Sequence, residues 1–209
     1  MNKVEFLEKW STLHGGAKVS GVVKGWLSIS YAVCKGLNKA KVTPNALSYI
    51  SLLLGVGFVY AIDSHWAILF LVLSLAADGL DGTLAIITNR VTKWGAALDS
   101  IMDRLVEALW AYGLFQLGAP VEMVVLAWLA AYIQEYMRAR AGGLGINKIG
   151  VVTASERPVR ASLIFIALVA RLFEFNLVVE ISTTWAVLQV LSALTVLNFL
   201  RPLLRQSPR

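Results

Sequence analysis

The sequence predicts an all-α integral membrane protein with six transmembrane helices and an N-terminal amphipathic helix that lies at the membrane interface. Its mean hydropathy is +0.68, 57% of its 209 residues are hydrophobic and only 15% are charged. Six mainly apolar runs each approach the roughly 20 residues that a membrane-spanning helix requires. Basic residues concentrate in alternate connections between those runs. This composition excludes a water-soluble globular domain.

The first 44 residues precede the apolar runs. They contain no apolar stretch followed by a small-residue cleavage site, so we expect no removed signal peptide. The stretch KVSGVVKGWLSISYAVCKGLNKAK, residues 18–41, mixes lysines with aromatic and aliphatic residues, which is typical of an interfacial amphipathic helix. A short extra span is the alternative, but the apolar run between the lysines is too short to cross a bilayer.

The predicted spans follow in order, with short connections and no Gly/Ser-rich or proline-rich linker between them. They cover about residues 45–62, 66–88, 96–117, 120–139, 158–174 and 181–200. We therefore expect an N-terminal cytoplasmic or interfacial segment at 1–44, one six-helix membrane domain at 45–200 and a basic cytoplasmic tail at 201–209.

Charges between the spans orient the chain under the positive-inside rule. The N-terminal segment, the connections at 89–95 and 140–160 and the tail are basic, whereas the alternate connections contain acidic residues without lysine or arginine. We predict a multi-pass protein of the cell membrane with both termini in the cytoplasm. The net charge of +6 then faces anionic lipid head groups. We expect no nucleic-acid partner, because no binding module is recognisable.

Four aspartates lie in two of the predicted spans, where a carboxylate is costly and usually faces a partner, a cavity or an ion. Asp78 and Asp81 are three residues apart and Asp99 and Asp103 are four apart, so each pair shares a helix face. At about 1.5 Å per residue, both pairs lie roughly 6 to 15 Å from the cytoplasmic helix ends. Facing carboxylates repel or take up protons unless a divalent cation neutralises them, and hard oxygen ligands select Mg²⁺ or Mn²⁺.

Glycines accompany these aspartates. Gly82 and Gly95 remove side-chain bulk beside the acidic residues and leave room for a ligand, although a glycine costs about 1 kcal/mol inside a helix. For Gly79 we favour close helix packing through a small residue. The alternative for the aspartates is a structural network with Arg104.

The acidic stretch contains the motif Asp78-x-x-Asp81-Gly82-x-x-Ala85, followed by Gly95-x-x-x-Asp99-x-x-x-Asp103. This motif resembles the signature of the CDP-alcohol phosphotransferases, which are integral membrane enzymes of phospholipid synthesis. The resemblance implies six transmembrane helices around a polar cavity that faces the cytoplasm, and a homodimer. It implies transfer of a phosphatidyl-type group from a CDP-linked lipid, CDP-diacylglycerol, to an alcohol, with release of CMP.

The resemblance also implies residue roles. Asp78, Asp81 and Asp99 would bind the metal, and Asp103 would be the catalytic base and also contact metal, with two divalent cations held by shared carboxylates. The family usually has Arg after the alanine, where this chain has Ile86, so Arg90 is the expected substitute unless this is a catalytically altered member. The predicted donor nucleotide and phosphate residues are Asn45, Gly82, Ala85, Arg90 and Gly95. The alternatives are helix capping for Asn45 and an ordinary positive-inside role for Arg90.

The acceptor site is predicted at the other cytoplasmic helix ends, where YIQEYMRARAGGLG and INKIGVVTASERPVR place several basic residues. Converging arginines suit a phosphorylated acceptor. The stretch resembles the acceptor-side segments of phosphatidylinositol-phosphate synthases, although those tend to have Glu-Arg where this chain has Thr153-Ala154. Inositol phosphate is therefore the first expected acceptor and glycerol phosphate the second. The predicted acceptor residues are Arg138, Arg140, Lys148 and Arg157, and membrane-edge anchoring is the alternative role of the arginines.

Two other classes of function stay open from the sequence. Carboxylates within the membrane also serve ion-coupled transporters, but those folds commonly contain inverted repeats and midplane sites, which this sequence does not display. A nonenzymatic membrane scaffold would leave the regular spacing of the four aspartates unexplained.

Overall fold

The structure is a computed structural model that describes residues 1–146 and 151–206. Every regular element in this part of the chain is an α-helix, which confirms the predicted all-α class. The helices are α1 (Lys3–Leu13), α2 (Gly21–Lys39), α3 (Pro44–Tyr60), α4 (Trp66–Ile87), α5 (Lys93–Gln116), α6 (Val121–Gly143), α7 (Arg157–Leu172) and α8 (Val178–Gln206).

Two helices occupy the segment that precedes the predicted spans. Helix α1, which the sequence analysis does not predict, begins with a capping box. The Asn2 side chain accepts a hydrogen bond from the Glu5 amide at 3.0 Å, and the Glu5 carboxylate accepts one from the Asn2 amide at 3.1 Å. Helix α2 covers most of the predicted amphipathic stretch. The chain bends by 107° between α2 and α3, close to Lys41, whose φ of 58° lies in the left-handed region.

Helices α3 to α8 correspond to the six predicted apolar runs. By length and apolar composition, α4 and residues Val178–Arg205 of α8 can each cross a membrane, and the bent pair of α2 and α3 meets the same criteria when taken together. Helix α8 continues to Gln206, so most of the predicted tail at 201–209 is helical where the structure describes it.

The chain forms two compact units. Unit 1 consists of Met1–Val56 and Val72–Val106, and unit 2 consists of Gly57–Leu71 and Glu107–Arg209. The boundaries fall inside α3, α4 and α5, so the predicted domain at 45–200 contains parts of both units.

Apolar clusters hold the helices of unit 1 together. Phe6 of α1, Leu27 of α2 and Ile86 of α4 form one buried cluster. Cys34 of α2 packs with Leu47 and Leu84 in a second. Fully burying a large apolar side chain contributes about 1.5–3 kcal/mol, so these clusters fix α1 and α2 against α4.

In unit 2, α6 packs along α8 through a cluster of Ala141, Val196 and Leu200. Close packing also requires Gly113 of α5, because a Cβ at that position would lie 2.5 Å from a ring carbon of Phe58. Trp110 and Trp185 are fully buried in this unit.

Candidate active site

Three of the four predicted metal ligands lie together in unit 1. One carboxylate oxygen from each of Asp78, Asp99 and Asp103 lies within 4.8 Å of the other two. Asp78 is on α4, and the other two are one turn apart on α5. All three side chains are partly buried. A set of carboxylate oxygens this close has the ligand chemistry and the spacing for a hard divalent cation.

The fourth aspartate, Asp81, has a separate environment. It is buried, and its carboxylate accepts a hydrogen bond from the hydroxyl of Ser48 on α3. Asp81 is not part of the group of three in the described residues. The sequence analysis missed Ser48, although its position three residues after Asn45 places both residues on one face of α3 and was a usable signal.

A cavity of about 300 Å³ adjoins these acids. Asp81 and Asp99 line it. So do all five residues predicted to bind the donor, which are Asn45, Gly82, Ala85, Arg90 and Gly95. The structure thus brings the donor residues to one space. Leu13, the last residue of α1, and His14, which follows it, also line the cavity, and neither is in the sequence prediction.

The glycines have different surroundings. A Cβ on Gly82 would meet no atom within 4 Å, so this position opens the cavity. A Cβ on Gly95 would lie 3.1 Å from Oγ1 of Thr92. This oxygen accepts a hydrogen bond from the Gly95 amide at the start of α5. A Cβ on Gly79 would lie 2.8 Å from the Trp26 ring, so Gly79 permits close helix packing, as the sequence analysis favours.

Two further residues make contacts at or beside the predicted site residues, namely Thr43 and Arg104. The Thr43 hydroxyl accepts a hydrogen bond from the Ala46 amide at 3.3 Å and caps α3. Asn45, for which capping was the alternative role, lines the cavity. A guanidinium nitrogen of Arg104 lies 3.7 Å from the Asp103 carboxylate. The structural alternative, a network with Arg104, is therefore present at Asp103.

The predicted acceptor residues that the structure describes belong to unit 2. Arg138 donates to Glu156 at 2.7 and 2.9 Å and to the Val151 carbonyl at 2.8 Å. Arg140 is exposed near the end of α6. Lys148 lies outside the described residues.

Arg157, the remaining predicted acceptor residue, lies at the first position of α7. Its guanidinium stacks over the ring of Trp110 at 5.4 Å, and its Nε is 3.9 Å from Glu107. An arginine with one face on an aromatic ring can still bind an anion through its other edges.

Glu156 is the carboxylate that orders this part of unit 2. Burial alone would raise its pKa, but hydrogen bonds from Arg138 and from the amide and hydroxyl of Thr153 lower the pKa to about 2. Glu156 is therefore ionised at neutral pH and neutralises Arg138.

A buried polar network in unit 2 went unpredicted. Arg160 is fully buried and donates to Glu107 at 2.7 Å, to Glu135 at 3.2 Å and to the Ser155 carbonyl at 2.9 Å. Gln134 and Gln189 continue it through a hydrogen bond of 2.8 Å. Acidic residues at 107 and 135 inside apolar runs were the available signal.

Comparison with known proteins gives a consistent result. The sequence model of CDP-alcohol phosphatidyltransferases matches residues 41–198. Over 140 residues, the chain is 36% identical to the archaetidylinositol phosphate synthase of Pyrococcus horikoshii, covering 64% of this chain and 72% of that protein. It is 32% identical over 140 residues to the phosphatidylinositol phosphate synthase of Corynebacterium glutamicum, covering 61% of this chain and 63% of that protein.

Solved structures share the fold. A crystal structure of the Mycobacterium tuberculosis phosphatidylinositol phosphate synthase with CDP-DAG bound superposes with a TM-score of 0.68 at 20% identity, covering 82% of this chain and 92% of that one. A crystal structure of the same enzyme in complex with manganese and citrate also gives a TM-score of 0.68, with coverage of 81% and 87%.

Proposed function

Since the chain belongs to the CDP-alcohol phosphatidyltransferase family, we propose that it transfers a phosphatidyl-type group from CDP-diacylglycerol or a similar CDP-linked lipid to a phosphorylated alcohol, with release of CMP. It is an integral membrane transferase of phospholipid biosynthesis, which decides against the ion-coupled transporter. One observation carries the proposal for the donor. Asp99 belongs both to the acidic cluster and to the wall of the cavity that the predicted donor residues line.

We propose Mg²⁺ or Mn²⁺ as the cofactor. The donor set fits, because oxygens of Asp78, Asp99 and Asp103 lie within 4.8 Å of one another and are hard ligands. These residues would hold one ion, and Asp81, oriented by Ser48, would help to hold a second. Bound cations neutralise charge on the donor's pyrophosphate.

The chain's own residues then perform the remaining steps. Asp103 takes the proton from the acceptor hydroxyl. The hydroxyl oxygen of the acceptor forms a bond to phosphorus, and the bond between phosphorus and the departing CMP breaks. Arg104, 3.7 Å from Asp103, holds that carboxylate in place. Arg90 donates to the donor phosphates, and Gly82 leaves space for the donor beside the acids.

Inositol phosphate is the acceptor that we propose, with glycerol phosphate second. Two relatives, an archaetidylinositol phosphate synthase and a phosphatidylinositol phosphate synthase, support an inositol phosphate product. Arg138, Arg140, Lys148 and Arg157 are the proposed phosphate contacts. Arg138 must exchange part of its contact with Glu156 to bind a ligand, whereas Arg140 is exposed and accessible as it stands.

The membrane arrangement is also part of the proposal. Helices α3 to α8 would be the six spans, with α2 as the interfacial amphipathic helix and with the active site and both termini in the cytoplasm. The predicted division at 1–44, 45–200 and 201–209 applies to this arrangement. The protein would act as a homodimer in the cell membrane, as the family resemblance implies.

A panel of acceptors tests the proposal. Membranes that contain the protein are supplied with radiolabelled CDP-diacylglycerol and Mg²⁺, and separately with inositol phosphate, glycerol phosphate and unphosphorylated inositol. We expect label in a new phospholipid, with CMP released, and the highest rate with inositol phosphate. A higher rate with unphosphorylated inositol would contradict the proposed phosphate contacts, and no transfer to any alcohol would contradict the function.

A further inference from the structure

Helix α1 lies outside the part of the chain that the family model matches, residues 41–198, yet it reaches the donor cavity. Leu13, its last residue, and His14, which follows, both line that cavity. Among the described residues that line it, Arg90 and His14 are the two with basic side chains. The N-terminal segment therefore contributes a nitrogen-bearing side chain where we propose that a nucleotide binds.

Apolar packing and one hydrogen bond fix α1 in this position. Phe6 is fully buried against Ile86 and Leu27. Nζ of Lys9 donates a hydrogen bond of 2.7 Å to Oδ1 of Asn89, just beyond the end of α4. Ile86 thus has a role of its own, since an apolar residue at this position gives Phe6 a surface on which to pack.

The His14 ring is also held locally. Its Nδ1 lies 2.7 Å from the Trp10 carbonyl, and because a carbonyl oxygen accepts hydrogen bonds, Nδ1 carries the proton. The Trp10 ring stacks on the imidazole at 3.9 Å between centroids. The amide of Gly16 donates to the Ser11 carbonyl at 2.8 Å and closes the turn that carries His14. With Nδ1 engaged, Nε2 is the ring nitrogen that can bind a ligand.

We propose that α1 forms a wall of the donor cavity and that Nε2 of His14 accepts a hydrogen bond from a hydroxyl or amino group of the donor's cytidine. This inference rests on the proposed function, because it takes the cavity to be the donor site. His14 would then be a further donor-binding residue, supplied by a segment that precedes the family's shared region.

Calorimetric titration of the full-length, detergent-solubilised protein with CDP at fixed Mg²⁺ tests the inference. We expect His14→Ala to weaken CDP binding about 2- to 10-fold, the range for one lost hydrogen bond between neutral groups. His14→Gln should recover part of this loss, because its amide can also form a hydrogen bond. His65→Ala is the matched control, since His65 is the other histidine of the chain and lies in unit 2, and it should bind CDP like the wild type.

A second variant separates docking of α1 from the His14 contact. Phe6→Ala removes the side chain that packs on Ile86 while it retains the imidazole, and it should also weaken CDP binding. If both substitutions act through one contact, Phe6→Ala combined with His14→Ala should bind CDP no more weakly than the more affected single variant. Fully additive losses would overturn the inference.

Asp81→Asn separates failure of this inference from failure of the donor site. Asp81 lines the same cavity, so the proposed function requires this variant to weaken CDP binding. Normal CDP binding by His14→Ala together with weak binding by Asp81→Asn would overturn the role of His14 and leave the donor site intact. Normal binding by both variants would overturn the donor site and the inference together.

Discussion

Units 1 and 2 both contain charged side chains within hydrophobic surroundings, but they arrange them in opposite ways. In unit 1, oxygens of Asp78, Asp99 and Asp103 crowd within 4.8 Å of one another. In unit 2, the buried guanidinium of Arg160 donates to Glu107 at 2.7 Å and to Glu135 at 3.2 Å. The first arrangement brings like charges together, and the second alternates opposite charges.

The difference distinguishes a ligand-binding site from a hydrogen-bond network that stabilises the fold. Crowded carboxylates raise the free energy of the folded protein unless a cation or protons offset the repulsion. Buried opposite charges in hydrogen-bond contact satisfy one another, and removing one partner is strongly destabilising. We therefore infer that unit 1 is organised around a cation and the donor, and that the Arg160 network orders the helices of unit 2.

Removal of divalent cations is the test with the largest expected effect. A chelator in excess should abolish lipid transfer, because the proposed neutralisation of Asp78, Asp99 and Asp103 is lost, and added Mg²⁺ or Mn²⁺ should restore it. The measurement is transfer of label from CDP-diacylglycerol, and chelator saturated with Mg²⁺ is the control. Undiminished transfer in excess chelator would show that the acidic cluster needs no cation. Unit 1 would then not differ from unit 2 by holding a cation site.

Substitution of the proposed base should have the next largest effect. Asp103→Asn removes the proton acceptor and keeps the shape of the side chain, so transfer should fall by about 10²–10⁴-fold. CDP binding should stay close to wild type, because the asparagine oxygen can still coordinate the cation and Asp103 is not among the residues that line the donor cavity. Asp63→Asn, an identical change at an exposed aspartate of unit 2, is the control. Near-normal turnover of Asp103→Asn at saturating metal would show that the base is elsewhere.

The sequence could reveal the site in unit 1 because its aspartates lie in one stretch of 26 residues, at spacings that a helix converts into a shared face. It could not reveal the network of unit 2 in the same way. Glu107, Glu135 and Arg160 come from α5, α6 and α7, and no local pattern indicates which acid meets which base. Arg138 is an example. The sequence analysis predicts that it contacts the acceptor, but it does not predict its ion pair with Glu156.

A matched pair of carboxylate-to-amide substitutions tests the contrast in stability. Glu107→Gln should lower the free energy of unfolding by up to about 3–5 kcal/mol, because it leaves Arg160 buried with less compensation. Asp78→Asn should cost the metal-free protein less stability, because it also relieves repulsion among the three clustered carboxylates. Thermal unfolding in detergent with chelator present is the measurement. Equal destabilisation by the two changes would mean that both units use their acids structurally.

The helices themselves were largely predictable, with informative exceptions. The predicted spans at about 66–88 and 96–117 became α4 (Trp66–Ile87) and α5 (Lys93–Gln116), because long apolar runs determine helix positions strongly. Helix α1 was missed because it is short, and most of its stability comes from packing of Phe6 on residues far along the chain. The position of His14 beside the cavity depends on that packing, so the sequence could not predict it either.

The smallest expected effect concerns Ser48, the partner of Asp81. Its hydroxyl donates to the Asp81 carboxylate, and both side chains are buried, so Ser48→Ala leaves that carboxylate with one hydrogen bond fewer. A net loss of about 0.5–1.5 kcal/mol should raise the Mg²⁺ concentration that half-saturates CDP binding by roughly 2- to 10-fold. Ser51→Ala is a close control, because Ser51 is also buried in unit 1 but donates to the Ser74 carbonyl at 2.9 Å and contacts no acid. It should shift the Mg²⁺ dependence little, although it removes the same atom. An equal shift in both variants would show that the effect is general packing of α3, and that Asp81 needs no orientation by Ser48 to serve the cation site.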